Sequence, residues 1–259
     1  MEQFFMQRKS DIFRAKAAQH LCLGMLVTMT DSAVVEAAAE AGFDFIWIDA
    51  EHGALSAETI DQHIRASRAF DCAPFVRVQW NEWGIIKPIL DMAPAGVIVP
   101  MVNTAGDAEA AVSACRYPPL GSRGCGPRRG NRFGMQSFDE YLADSQRDPL
   151  IILQIEHVDA VRNLDKILAV PGIDSICIGP ADLSASMNKF CQFEDPEVIQ
   201  VLDEISAKVK KHDLLLGTAD WLSPRWKKRP LDWIACSSDV GMIAGNGSRL
   251  IKQIREGNI

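Results

Sequence analysis

A chain of 259 residues, 47% of them hydrophobic, can hold one barrel of ordinary size or two small domains. Its formal charge of −7 argues against nucleic acid or an acidic membrane surface as the main partner, though a local arginine can still receive an anionic small molecule. Seven scattered cysteines with no CxxC pair exclude a zinc knuckle or a thioredoxin-type redox site and suit a reducing cytosol. The amino-terminal MEQFFMQRKSDIFRAK carries charge too early for a signal peptide. No apolar run approaches a membrane span, so a cytoplasmic protein without membrane attachment is expected.

Short β-rich apolar runs predict strands at 22–29 (CLGMLVTM), 44–50 (DFIWIDA), 74–80 (PFVRVQW), 96–102 (GVIVPMV), 150–156 (LIILQIE), 175–180 (SICIGP), 214–219 (LLLGTA) and 232–238 (DWIACSS). Helix-like stretches fall between them at 32–42, 56–70, 84–94, 159–170 and 196–212. That alternation predicts parallel strands with helical crossovers, and eight strands favour a closed (β/α)₈ TIM barrel over an open sheet. Neither GxGxxG nor GxxxxGK[ST] occurs, which removes the usual nucleotide-binding reasons for an open sheet. No linker divides the chain, so residues 1–259 are read as a single domain. The longest irregular stretch, YPPLGSRGCGPRRGNRFG (117–134), is too rich in arginine for a passive connector.

Barrel chemistry sits at the carboxyl ends of strands. The polar residues there are Asp49, Glu51 and His52 after the second strand, Arg77 in the third, Gln154 and Glu156 at the fifth, and Asp182 after the sixth. Glu156 and Asp182 on neighbouring strands offer oxygen ligands suited to Mg²⁺ or Mn²⁺; the alternative is that they cap helices or pair with lysines. Arg77 lies among apolar residues, where a buried guanidinium needs an anion, either a substrate oxygen or a neighbouring strand's carboxylate. His52, close to Asp49 and Glu51, suits a general base, whereas His20, His63, His157 and His212 read as ordinary hydrogen-bonding histidines. No lysine lies inside a predicted strand, which disfavours Schiff-base chemistry.

The ordered set AGFDF (41–45), IDAEHG (48–53), VRVQWN (76–81), KPILD (87–91), RYPP (116–119), GSRG (121–124), QIE (154–156) and IGPADLS (178–184) resembles the HpcH/HpaI family of class II 2-oxo-acid aldolases, in order from about residue 22 to about residue 200. The resemblance implies a (β/α)₈ barrel, usually a hexamer that exchanges a carboxy-terminal helix between subunits. It implies a divalent metal, Mg²⁺ or Mn²⁺ with Co²⁺ as a further candidate, held by Glu156 and Asp182. Gln154 and the backbone of Ala181 and Asp182 would hold a 2-oxo acid such as pyruvate. Arg77 would stabilise its enolate, and His52 would act as base, supported by Asp91 or by Asp49. The partners implied are a small 2-oxo acid and an aldehyde, joined or split through a 4-hydroxy-2-oxo acid.

Three stretches depart from the family. Met25 stands where relatives usually carry tryptophan, SMNKFCQFEDPEV (186–198) lacks the usual glycines, and the segment after 217 is shorter and holds Trp221, Trp226 and Trp233. These regions help shape the acceptor side. The alternative on the same barrel is a Claisen-type citrate synthase of siderophore biosynthesis, joining oxaloacetate to an acyl-CoA, in which Arg77, Arg123 and Arg129 would bind carboxylates.

Overall fold

The computed structural model describes residues 7–220 and 223–257. Eight parallel strands close in chain order into a barrel: β1 (Cys22–Val27), β2 (Phe45–Asp49), β3 (Ala73–Arg77), β4 (Gly96–Val99), β5 (Leu150–Ile155), β6 (Ser175–Ile178), β7 (Leu215–Ala219) and β8 (Trp233–Ser238), with β8 returning to β1. All eight predicted strands form, and most stop short of their predicted carboxyl ends. Arg77 is therefore the last residue of β3 rather than mid-strand: the Val78 N–H still reaches the Ile98 carbonyl at 3.0 Å, and residues 79–80 bend away.

The helices are α1 (Lys9–Ala17), α2 (Ala33–Glu40), α3 (Ala57–Ser67), α4 (Trp83–Asp91), α5 (Ala105–Cys115), α6 (Phe138–Ser145), α7 (Val158–Arg162), α8 (Leu164–Leu168), α9 (Pro180–Ser186), α10 (Pro196–Lys211) and α11 (Asp239–Arg255). The stretch predicted as one helix over 159–170 breaks at Asn163 into α7 and α8. Helices α1, α5, α6, α9 and α11 lie outside the predicted stretches. Trp221 lies outside the described residues. Trp226 is buried and donates its indole N–H to Asp220 at 2.6 Å.

Strand alternation sorts the barrel side chains into two apolar layers. Ile46, Ile48, Val76, Val97, Leu153 and Ile155 pack outward beneath the helices. Phe45, Trp47, Phe75, Ile98, Ile152, Cys177 and Trp233 fill the interior. A β-carbon at Gly24 would meet the Phe45 ring at 2.2 Å and one at Gly217 would meet Trp233 at 1.9 Å, so the large rings fit only because these positions are bare. Phe13 of α1 closes the lower end, edge-on to Phe75 at 4.7 Å and to Phe45 at 5.7 Å between ring centres. The same period of two turns Asp49, Arg77 and Gln154 inward above this layer, which carries the sequence pattern directly to the site.

His63 of α3 is wholly buried, with Nε2 2.9 Å from the Met29 carbonyl and Nδ1 without a partner. Burial holds its pKa below the ordinary 6.5, against the smaller opposing pull of Asp239 and Asp31. The folded form thus keeps the ring neutral while the unfolded chain takes up a proton below that value, so stability falls as pH drops through 6.5. The native protein is expected to lose up to about 1.4 kcal/mol per pH unit below that point relative to His63→Gln. Urea midpoints of both proteins on either side of the window check the difference.

Of the residues of α11 only Asp239 is buried. Its carboxylate accepts the N–H groups of Thr28, Met29 and Val240, each at 2.7 Å, and so ties the helix start to the end of β1. Beyond it Val240, Ile243, Leu250, Ile251 and Ile254 each leave more than half of their surface open. Among the described residues no helix is long and apolar enough to cross a membrane.

Candidate active site

At the carboxyl ends of the strands, β2 and β3 place Asp49 and Arg77 in direct register. Arg77 donates Nε–H to Asp49 Oδ1 at 2.9 Å and Nη2–H to Oδ2 at 2.7 Å, a bidentate pair that is almost fully buried. Its guanidinium rests over Trp47 at 5.1 Å. Nη1 lies 3.0 Å from Glu51 Oε2, yet that oxygen accepts no well-directed hydrogen bond. Of the five N–H bonds of a guanidinium, two are therefore engaged by Asp49 and three remain available near the mouth. The neighbouring-strand carboxylate weighed from sequence is present, and it leaves donor capacity over.

His52 is exposed, with Nε2 4.0 Å from Glu51 Oε2. Asp49 meets the backbone of this turn rather than the ring, accepting the N–H groups of Glu51 at 3.2 Å and His52 at 3.4 Å. Asp91 is also not brought to His52 within one chain. It ends α4, outside the barrel, and its carboxylate lies 3.6 Å from Arg123. Arg123 donates to the Leu90 carbonyl at 3.1 Å and covers Tyr117, while Arg129 donates to Asp61 at 2.8 Å. Asp91 and Arg129 thus line a separate groove of about 450 Å³, with Asp61, Arg128 and Phe133.

On the other side of the mouth, Gln154 and Glu156 are both buried, and the Gln154 amide donates to Glu156 Oε2. Glu156 Oε1 accepts the Met101 N–H at 2.8 Å. Met101 holds a left-handed backbone at φ 54°, which costs a non-glycine residue about 1–3 kcal/mol and aims that N–H into the site. Asp182 stands exposed in the first turn of α9, next to Ala181. First-turn N–H groups of a helix lack intrahelical partners and point outward from its start.

Glu51 and Glu156 both have their pKa raised, first by burial and then by other carboxylates. Asp49 and Asp182 act on Glu51, while Glu51 and Asp182 act on Glu156. Arg77 and His52 only partly offset this at Glu51. Such a cluster is short of positive charge. The residues fit a divalent cation on three grounds: hard carboxylate donors, the buried Gln154 Oε1 without a donor, and the space kept open by Gly179. A β-carbon at Gly179 would lie 2.7 Å from Glu156 Oε2 and 3.1 Å from Gln154 Nε2. Gly179→Ala is therefore expected to cost about 1–3 kcal/mol of stability and to weaken divalent-ion binding by displacing Glu156, checked by thermal unfolding and calorimetric titration with Mg²⁺.

Glu51 is among the strand-end residues that the sequence points to, but its place beside Arg77 is not evident there. Met101 carries no signal, since its contribution is a backbone angle.

The chain matches the model of the HpcH/HpaI aldolase/citrate lyase family over residues 23–221. It is 33% identical over 238 residues to a hydroxypyruvate/pyruvate aldolase of Roseobacter denitrificans, covering 90% of this chain and 93% of that protein. It is 35% identical over 243 residues to a 5-keto-4-deoxy-D-glucarate aldolase of Salmonella arizonae, covering 91% and 93%. The crystal structure of the citrate synthase SbnG superposes with a TM-score of 0.84 at 27% identity, covering 96% of this chain and 98% of that one. Motif order, barrel and full-length similarity agree: the chain belongs to the HpcH/HpaI aldolase/citrate lyase family.

Proposed function

We propose that the protein is a class II aldolase that splits a 4-hydroxy-2-oxo acid into pyruvate and an aldehyde, and joins them in reverse. The observation that carries the reading is the cation-deficient group of Glu51, Glu156 and Asp182 facing the free N–H groups of Arg77. Glu156 and Asp182 would hold the divalent metal, Mg²⁺ or Mn²⁺ by donor type with Co²⁺ a further candidate, and when bound it supplies Lewis acidity toward the 2-oxo acid.

The protein groups divide the remaining work. The Gln154 amide and the first-turn N–H groups at Ala181 and Asp182 receive the carboxylate of the 2-oxo acid. His52 Nε2 takes the proton of the C4 hydroxyl as the C3–C4 bond breaks, and Glu51 at 4.0 Å steadies the resulting imidazolium. The electron pair of that bond moves into the C2–C3 enolate, whose oxygen the remaining Arg77 N–H groups meet. A proton added at C3 completes pyruvate. Asp49 holds Arg77 in place and orders the His52 backbone.

Likeness to a citrate synthase keeps the Claisen reading in view. The arginines it would recruit, Arg123 and Arg129, already face Asp91 and Asp61, which favours the aldolase. The exposed apolar stripe of α11 supports a homo-oligomer that covers it.

The test is exchange of the pyruvate methyl protons in D₂O followed by NMR. Metal-dependent loss of the methyl signal is expected. Absence of exchange with Mg²⁺, Mn²⁺ or Co²⁺, together with release of CoA thiol from acetyl-CoA and oxaloacetate, would replace the aldolase by the citrate synthase.

A further inference from the structure

The opposite, amino-terminal end of the barrel carries a second group of metal-type side chains. His20 lies in the turn after α1, Cys22 opens β1, and Asp44 stands immediately before β2. The Asp44 N–H donates to the Leu23 carbonyl at 2.8 Å, so the backbone of β1 holds Asp44 beside Leu23, one residue on from Cys22. One imidazole nitrogen, the thiol sulfur and one carboxylate oxygen of these residues all lie within 4.8 Å of one another, the only such group of three among the described residues. His20 Nε2 is 3.6 Å from Asp44 Oδ1.

Tetrahedral zinc bonds of about 2.0–2.3 Å place ligand atoms about 3.5 Å apart. The His20–Asp44 separation of 3.6 Å already meets that spacing, and His20, about half exposed, can swing to bring the others in. Burial first, then Asp44 and to a lesser degree Asp232, oppose a negative charge at Cys22, and Lys16 offsets them only in part. Asp232 is engaged by Lys210 at 2.8 Å and by the Leu216 N–H at 2.6 Å, so it supplies field and not a ligand. Asp44 Oδ2 accepts the Leu23 N–H at 3.0 Å, which leaves Oδ1 as the metal-facing oxygen. The competitor is Lys16, whose ammonium lies 3.0 Å from that same Oδ1. It also donates to the Asp71 carbonyl at 2.8 Å and so has a place to withdraw to.

We propose that His20, Cys22 and Asp44 bind a zinc ion, with water in the fourth position, which pins the α1–β1 turn to the start of β2 beside the Phe13 plug. Sulfur and nitrogen donors select zinc over the hard cations suited to an all-oxygen site, so the two ends of the barrel take different metals.

Cobalt distinguishes the sites, because only a thiolate ligand gives a sulfur-to-cobalt charge-transfer band and the carboxylates at the mouth give none. Titrating Co²⁺ into the full, metal-free chain is expected to raise that band to saturation, and Zn²⁺ to abolish it. Cys22→Ser is expected to remove the band. His20→Ala, a change at an exposed side chain, is expected to weaken binding at least about tenfold and to remove the rise in unfolding temperature that zinc gives the native chain. Lys16→Met is expected to tighten binding by removing the competitor. Mg²⁺-supported activity is expected to stay unchanged in His20→Ala. No band in the native chain, a band that survives Cys22→Ser and so belongs to exposed Cys125 or Cys191, or unchanged affinity in His20→Ala would each overturn the site. If Cys22→Ser fails to fold, His20→Ala decides alone.

Discussion

Glu156→Gln is expected to lower both aldol cleavage and pyruvate methyl exchange by on the order of 10³-fold while leaving the metal-free protein folded and no less stable. The side chain keeps its size, its amide oxygen can still accept the Met101 N–H that holds Oε1 at 2.8 Å, and the Gln154 amide, whose Oε1 has no donor, can turn over to accept the new N–H in place of donating to Oε2. What it loses is charge. Without a cation that charge is a burden, since burial, Glu51 and Asp182 all push the Glu156 carboxyl toward its protonated form. Removing it relieves the metal-free fold and takes from the proposed metal site its buried ligand, so Mg²⁺ affinity is expected to fall at least about a hundredfold. Two measurements bear on this together, exchange of the pyruvate methyl signal and the rise in unfolding temperature on adding Mg²⁺. Loss of both is the expected result. Loss of exchange with the Mg²⁺-induced stabilisation intact would place the ion elsewhere and make Glu156 a substrate-binding group.

The barrel was legible because its two signals are local. Short continuous apolar runs such as Phe45–Asp49 show the strand, and the polar residue that ends each run marks the barrel mouth. Arg77 and Gln154 stand out in the same way, as polar residues at the ends of apolar runs. What escaped was set by tertiary contact. Helix α1 is held through Phe13, and one buried aromatic leaves no period to read. Helix α5 buries alanines and a cysteine, whose contrast with exposed alanines is weak. At the site, sequence left Asp49 and Asp91 as equal partners for His52. Register settles Asp49's contacts, because it sits directly opposite Arg77 and its oxygens are taken. Asp91, four residues after Lys87 on α4, faces Arg123 across a loop whose path no spacing rule predicts. The left-handed turn at Met101 is likewise decided by closure of the β4 end over Glu156.

Arg77→Lys is expected to lower turnover on the order of 10²–10³-fold with little change in KM. The native fork gives Asp49 two parallel hydrogen bonds and retains three further N–H bonds around Nη1 and Nη2. A lysine ammonium is a point charge on a shorter reach: it can pair with Asp49 but cannot at once present a fixed donor to an enolate oxygen. Charge is conserved, so the burial of Asp49 and Glu51 stays compensated, and the stability loss is expected to be smaller than the about 3–5 kcal/mol of breaking a buried pair outright. Asp49→Asn separates the two roles of Arg77. If the guanidinium served only to neutralise Asp49, both substitutions would depress exchange equally and in proportion to lost stability. If it meets the enolate, Arg77→Lys loses exchange far beyond Asp49→Asn at temperatures where both remain folded. The larger loss in Arg77→Lys is the expected outcome, because Asp49→Asn still leaves a guanidinium over Trp47 at the mouth, with Glu51 beside it and its donors free to turn toward substrate.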